Sequence, residues 1–425
     1  MSEYESVTLG DCVKLRSGNT PSKARPEFWN GEFPWISAKD MKTYWVSNSE
    51  DRLTEVGASN ANRVIAGTTL LLTRGMTLHN NIPICRVSRE AAFNQDVKAV
   101  MPKKGISNEF IPYLLLGNKH KLQGIVDSAG HGTGRLNTDQ LLDLSVFRPS
   151  MEDQIKIVEV ASSLDEKIEL NRKQNRTLEA IAQTLFKHWF VDFEFPDENG
   201  NHYKSNGGTM QPSEMGEIPV GWKIGKLEQL IAELETGSRP AGGVGQYKDG
   251  IPSIGAESIT RIGEYDYAKT KYVPEEYFSK MRRGIVKNRD VLIYKDGGTP
   301  GRFDARISMF GEDFPYKTAC LNEHVFRLQA KKSIYQNYLY LWFSSYPILE
   351  ELRHRGAKAA IPGINSSDVK GLDFLFVDEA VLTQFDQIVE PLFTKLLLNS
   401  REVRTLSNLR DTLLPKLMSG ELRVA

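Results

Sequence analysis

Residues 153–190 read DQIKIVEVASSLDEKIELNRKQNRTLEAIAQTLFKHWF, and residues 384–422 read QFDQIVEPLFTKLLLNSREVRTLSNLRDTLLPKLMSGEL. In the first stretch Ala161, Leu164, Ile168, Leu178, Ala182, Leu185 and Trp189 fall at heptad spacing. In the second the series is Val389, Leu392, Leu396, Val403, Leu406, Leu413 and Leu417. An apolar stripe held over four or more heptads predicts a coiled-coil helix rather than a surface helix. Asn171 and Asn399 interrupt the two stripes 228 residues apart, and Thr177-Leu178 matches Thr405-Leu406 at the same offset. Each Asn lies near the middle of its helix, so antiparallel packing is expected to bring the two to about one level. A buried Asn on such a seam costs stability but fixes register. Solvent-facing Asn residues are the competing reading, and Asn175 and Arg410 weaken the seam.

The equivalence extends outward from the helices. GEFPWISAKDM (31–41) matches GIPSIGAESI (250–259), with Pro34 over Pro252, Ile36 over Ile254 and Ala38 over Ala256. Upstream, Leu9 meets Leu227. TTLLLTRG (68–75) matches DVLIYKDG (290–297), and FNQDV (93–97) matches LNEHV (321–325), with Asn94 over Asn322. Tyr113-Leu114 falls on Tyr338-Leu339, and RLNTDQL (135–141) on GINSSDV (363–369), with Asn137 over Asn365. The matches are collinear and their offset drifts only from 218 to 228. Such a pattern indicates a tandem duplication of most of the chain.

The expected fold is mixed α/β (α+β): two globular units separated by an antiparallel two-helix coiled coil, in a pseudo-two-fold repeat. The first globular unit is expected over 1–150 and the first helix over 151–190. A polar, turn-rich linker follows over 191–220, then the second unit over 221–379 and the second helix over 380–425. Short β-rich runs such as 69–72 and 291–294 are punctuated by Gly, Pro and Asn, and FIPYLLLGNKH (110–120) reads as helical.

Composition narrows the function. With 40% hydrophobic, 25% charged and 9% aromatic residues in 425, the chain is a folded protein of two to four domains, not a disordered one. Lys+Arg and Asp+Glu both number 54, so global charge names no partner. Residues 1–150 carry 18 basic against 15 acidic residues, and 221–380 carry 23 against 21. Any nucleic-acid face must therefore be a local patch. No apolar run reaches the ~18 residues of a membrane span, and the N-terminus lacks the apolar stretch of a signal peptide. Three distant cysteines, Cys12, Cys85 and Cys320, argue against a disulfide framework and for a reducing cytoplasm.

Catalytic signatures are missing from the sequence. It has no GxxxxGK[ST] loop, no HExxH, no Cys/His pair at metal spacing and no G-x-S-x-G elbow. GHGTG (130–134) and DGGTPG (296–301) can be read as phosphate-approaching loops or as tight turns. Arg, Lys and Asn are the side chains that read guanine and adenine edges. The candidate DNA-contacting residues lie in loops: Lys23, Lys39, Arg74, His79, Asn80 and Arg135 in the first unit, and Arg239, Lys295, Arg302 and Lys358 in the second. Each can equally be an ordinary solvated group.

The opening LGDCVKLRSGNTP, FPWISAKDM, the central helix and the closing LLPKLMSGEL resemble the specificity subunit of type I restriction-modification systems. The resemblance covers nearly the whole chain. It implies that the globular units are target recognition domains, each reading one half of a bipartite, asymmetric site in double-stranded DNA. It implies that the helices set the gap and dock two modification subunits, which bring S-adenosylmethionine and methylate adenine. A restriction (motor-nuclease) subunit would join for cleavage, with one copy of this chain per cytoplasmic complex. The methyltransferase signature N-P-P-[FY] does not occur in this sequence. A helix of about 38 residues spans about 57 Å, against about 34 Å per turn of B-DNA. The rival reading is a coiled-coil assembly scaffold with no DNA specificity.

Overall fold

The computed structural model describes residues 4–129, 132–297, 301–357 and 362–424. The chain forms two compact units: residues 1–168 with 405–425, and residues 169–404. Each of the two long helices, Met151–Phe190 and Glu379–Ser419, contributes a segment to both units.

In the first unit, a five-stranded sheet runs Val13–Ser17, Val97–Pro102, Thr69–Leu72, Ile84–Val87, Trp45–Val46. A four-stranded sheet runs Arg52–Leu53, Trp29–Ile36, Ala91–Phe93, Arg63–Val64, and a three-stranded sheet runs Val126–Ala129, Thr133–Leu136, Arg74–Gly75. The run Thr69–Leu72 is buried at all four positions, as expected of a short apolar run bounded by turn residues. FIPYLLLGNKH supplies the helix Ile111–Gly117 and the start of the next, Lys119–Gly124. Ile157 and Ala161 of the first long helix join Leu414, Leu417 and Met418 of the second in this core.

In the second unit, a four-stranded sheet runs Ile231–Thr236, Val325–Ala330, Val291–Tyr294, Ile307–Met309, and a three-stranded sheet runs Lys271–Val273, Ile251–Ile254, Cys320–Leu321. Its core takes Ala182, Phe186, Trp189 and Phe190 from the first long helix and Phe385, Val389, Phe393 and Leu396 from the second. The segment read as a linker is packed. It forms the hairpin Met210–Ser213/Gly216–Pro219, and Phe195 and Ile218 enter the core. Phe195 stacks on Trp222 at 5.0 Å and on Tyr203 at 4.5 Å.

The duplication survives as matching backbone geometry. The parallel pairing of Phe93 with Ile36 in the first unit is repeated by Leu321 with Ile254 in the second. Leu9 N–H donates to Leu144 O at 2.8 Å, and Leu227 N–H to Leu372 O at 3.0 Å. Asn137 and Asn365 both cap short helices, Thr138–Leu142 and Ser366–Lys370, through their side-chain oxygens. That local chemistry accounts for an Asn at both positions.

The long helices pair antiparallel. In the first unit Asp165 faces Arg410 at 2.5 Å. In the second, Asn171 Nδ2 donates to Glu402 at 2.8 Å, and Asn175 Nδ2 to Ser400 Oγ at 2.9 Å. Asn171 and Asn399 are both buried, but they do not share a level. Asn399 Nδ2 donates to Asn175 at 3.0 Å and to Gln174 at 3.2 Å. The register is offset by about one helical turn from the one expected. The middle of the pair is also more polar than the heptad reading predicts. No apolar residue between Leu397 and Leu414 is buried, whereas Asp165, Asn171 and Asn399 are.

Candidate nucleic-acid interface

Two glycines fix the loop that opens each interface. A Cβ on Gly18 would come within 2.1 Å of Phe93 O, and one on Gly237 within 1.6 Å of Leu321 O. Only glycine permits this approach of two backbones. The loop is thereby pressed against the strand that ends at Asn94 in one unit and Asn322 in the other. Both Asn N–H groups donate at 3.0 Å, to Ile36 O and Ile254 O. Both side chains turn back to accept the N–H two residues on, from Asp96 at 3.2 Å and from His324 at 2.9 Å.

A second shared piece lies beside the first. Thr73 N–H donates to Asp96 O at 2.8 Å, and Lys295 N–H to His324 O at 3.0 Å. Thr73 O in turn accepts from Leu136 N–H at 2.9 Å, and Lys295 O from Ile364 N–H at 2.8 Å. Arg74 then lies directly across from Arg135 on antiparallel strands, and Asp296 across from Gly363. Each unit thus builds one frame from a glycine-pinned loop, an Asn-braced strand end and a bridged loop.

The candidate residues of the first unit cluster in part. Arg74 and Arg135 are cross-strand neighbours, both exposed. His79, in the single turn Met76–His79, bonds Gly132 O at 2.8 Å through Nε2. Asn80 follows it, its carbonyl accepting from Gln123 Nε2 at 3.4 Å. Lys23 lies over the rings of Trp29 and Trp35 at 5.6 and 6.0 Å, and Lys39 pairs with Glu50 at 3.7 Å.

In the second unit Arg239, Lys295 and Arg302 are each neutralised by a neighbouring acid. Lys295 Nζ bonds Asp296 at 2.8 Å. Arg239 bonds Glu323 and, at 3.1 Å, His324 Nε2, and His324 Nδ1 bonds Asp296. Arg302 pairs with Asp304 at 2.9 Å. Lys358 lies outside the described residues, as do parts of both glycine-rich motifs. Burial raises the Asp296 and Glu323 carboxyls. Lys295 and His324 for the first, and Arg239 for the second, outweigh it and hold both below their ordinary values.

The sequence reading did not single out Thr20, Gln95, Glu323 or His324 as candidates, and it met Asp296 only within the loop DGGTPG. Gln95, Glu323 and His324 lie in the aligned segments FNQDV and LNEHV, where the frame Asn matches and the two residues after it do not, Asp296 lies in DVLIYKDG, and Thr20 lies in the opening LGDCVKLRSGNTP. Among the described residues no group of three or more His, Cys, Asp or Glu could hold a metal, and no helix is long and apolar enough to cross a membrane. All three cysteines are buried free thiols.

Residues 1–180 match the family described as the type I restriction modification DNA specificity domain. A specificity subunit of the type I restriction enzyme MjaIX of Methanocaldococcus jannaschii is 27% identical over 431 residues, covering 99% of this chain and 94% of the relative. By these matches the chain is similar to type I restriction-modification specificity subunits. The EcoR124I/EcoR124II specificity subunit of Escherichia coli is 31% identical over 166 residues, covering 38% of this chain and 41% of the relative. The solved S subunit from M. genitalium shares the fold, with a TM-score of 0.52 at 13% identity over 98% of this chain and 96% of the other.

Proposed function

We propose that the chain is a specificity subunit and that each of its units reads one half of a bipartite, asymmetric site in double-stranded DNA. The observation that carries this reading is the frame built twice on matching backbone bonds with unlike side chains. Matching backbones suit two binding units of one kind, and unlike side chains suit two different half-sites, since base edges are told apart by donor and acceptor patterns.

The paired helices set the gap between half-sites and dock two modification subunits. S-adenosylmethionine belongs to those subunits, which methylate adenine, and a motor-nuclease subunit joins for cleavage. One copy of this chain serves each cytoplasmic complex. The backbone-held loops position the subunit on phosphates, and the exposed side chains between them select bases.

The test is selection from a randomised duplex library by the chain assembled with its modification subunits. The expected product is one motif of two unlike blocks separated by a fixed, unselected gap. A single continuous motif, or no motif, contradicts the proposal.

A further inference from the structure

The two frames place different chemistry at the same positions. Thr20 and Arg239 stand at equivalent places, two residues after the pinned glycines, in SGNTP (17–21) and TGSRP (236–240). Each reaches across to the residue after the frame Asn. Thr20 Oγ1 donates to Gln95 Oε1 at 2.5 Å, and Arg239 donates to Glu323. At the bridge, Arg74 opposite Arg135 is replaced by Asp296 opposite Gly363. The contact between the positions is kept while its chemistry is exchanged, from a neutral pair to an ion pair and from two cations to one carboxylate. A purely structural contact has no reason to change charge while its backbone frame is held. A position that must match a different base does.

The outer edges of the two frames differ in sign. In the first unit, Arg74 and Arg135 offer ten guanidinium N–H donors, and no acidic side chain among the described residues pairs with either. In the second, Asp296 and Glu323 are acceptors held ionised and in place by Lys295, His324 and Arg239.

We infer that the positions 20, 74, 95 and 135 of the first unit, and their equivalents 239, 296, 323 and 363 of the second, are the base-selecting set of each half-site. Arg74 and Arg135 read the acceptor edge of guanine, whereas Asp296 and Glu323 read a base amine, that of cytosine foremost. The chemistry follows from the edges. Guanine shows two acceptors in the major groove, which suit Arg, and cytosine shows an amine donor, which suits a carboxylate. The inference rests on the reading of one half-site by each unit and adds which residues select and what they select.

The experiment repeats the library selection with the full chain and its modification subunits, using Arg74→Gln, Arg135→Gln, Asp296→Asn and Glu323→Gln. The Arg variants are expected to lose preference for guanine at one or two positions of one block, by roughly five- to 150-fold, and to leave the other block unchanged. Asp296→Asn and Glu323→Gln are expected to lose preference for a base with an amine, in the other block only. The unchanged block reports that the variant chain is folded. Wild-type preferences at every position in all four variants, or uniform weakening without a change of preference, would overturn the inference while leaving the two-block motif standing. If a variant selects nothing, Arg74→Lys or Asp296→Glu takes its place, keeping charge and location. A motif relaxed at the same positions then supports the inference, and wild-type preferences overturn it. A motif without two blocks in the wild type fails the half-site reading itself.

Discussion

Arg74 and Arg135 lie directly opposite each other on neighbouring antiparallel strands, both exposed and without an acidic partner among the described residues. Like charges placed across a strand pair are destabilising, by roughly 0.2–1 kcal/mol. The pair is therefore held against folding stability, as expected of side chains reserved for an anionic ligand.

Arg135→Ala should leave the melting temperature of the free chain unchanged or slightly higher, while weakening DNA binding. If Arg135 also touches phosphate, the slope of log affinity against log salt should fall by about one. Thermal unfolding and a salt titration of binding check both parts. A lower melting temperature with unchanged affinity would make the pair structural.

Asp165 and Arg410 join the two long helices within the first unit, with side chains 2% and 16% exposed. Removing one partner of a buried ion pair leaves the other charge uncompensated, at a cost of about 3–5 kcal/mol. Arg410→Ala should destabilise the chain on that scale in urea unfolding. The apolar double variant Asp165→Leu/Arg410→Met should recover most of the loss. Equal losses in the single and double variants would show that the charges do not act as a pair.

Asp296 and Glu323 give the second unit a pH dependence. Burial opposes their ionisation, but Lys295 with His324, and Arg239, hold both carboxyls below their ordinary values of 3.8 and 4.5. A carboxyl whose folded pKa is depressed contributes stability above its unfolded pKa and loses it as pH falls through the folded one. From about pH 6 to about pH 3, the wild type should therefore lose more thermal stability than Asp296→Asn/Glu323→Gln. Parallel losses would show that these ion pairs do not stabilise the fold.

The duplication and the long helices were legible in the sequence because both are patterns of local chemistry. Asn137 and Asn365 repeat because a helix cap needs a side-chain oxygen, and the helix ends carry their apolar stripes into the two cores. The helix register was not legible. It depends on where each helix enters its unit, and Asn171 meets Glu402 rather than Asn399. The neutralisation of Arg239 was hidden for a similar reason, since Glu323 lies 84 residues further on. Thr20 and Gln95 carry no charge, and their contact with each other shows only once the loop and the strand end are brought together.

The observed register says where a change of helix length must go. A heptad inserted after Asn171 in the first helix and after Arg401 in the second keeps Asp165 opposite Arg410 and Asn175 opposite Ser400. Seven residues add about 10.5 Å of helix, which is at most about three base pairs at ~3.4 Å each. The selected motif should keep both blocks and widen its gap by one to about three base pairs. An active variant with an unchanged gap would show that the helices do not measure the DNA.

Whether each unit reads its own half of the site is measured by a methylome. Residues 1–150 are replaced by the corresponding domain of another type I specificity subunit, in cells carrying the modification subunits. The expected methylated motif has one half new, while the other half and the gap are those of the wild type. A motif changed in both halves, or in neither, would contradict that reading.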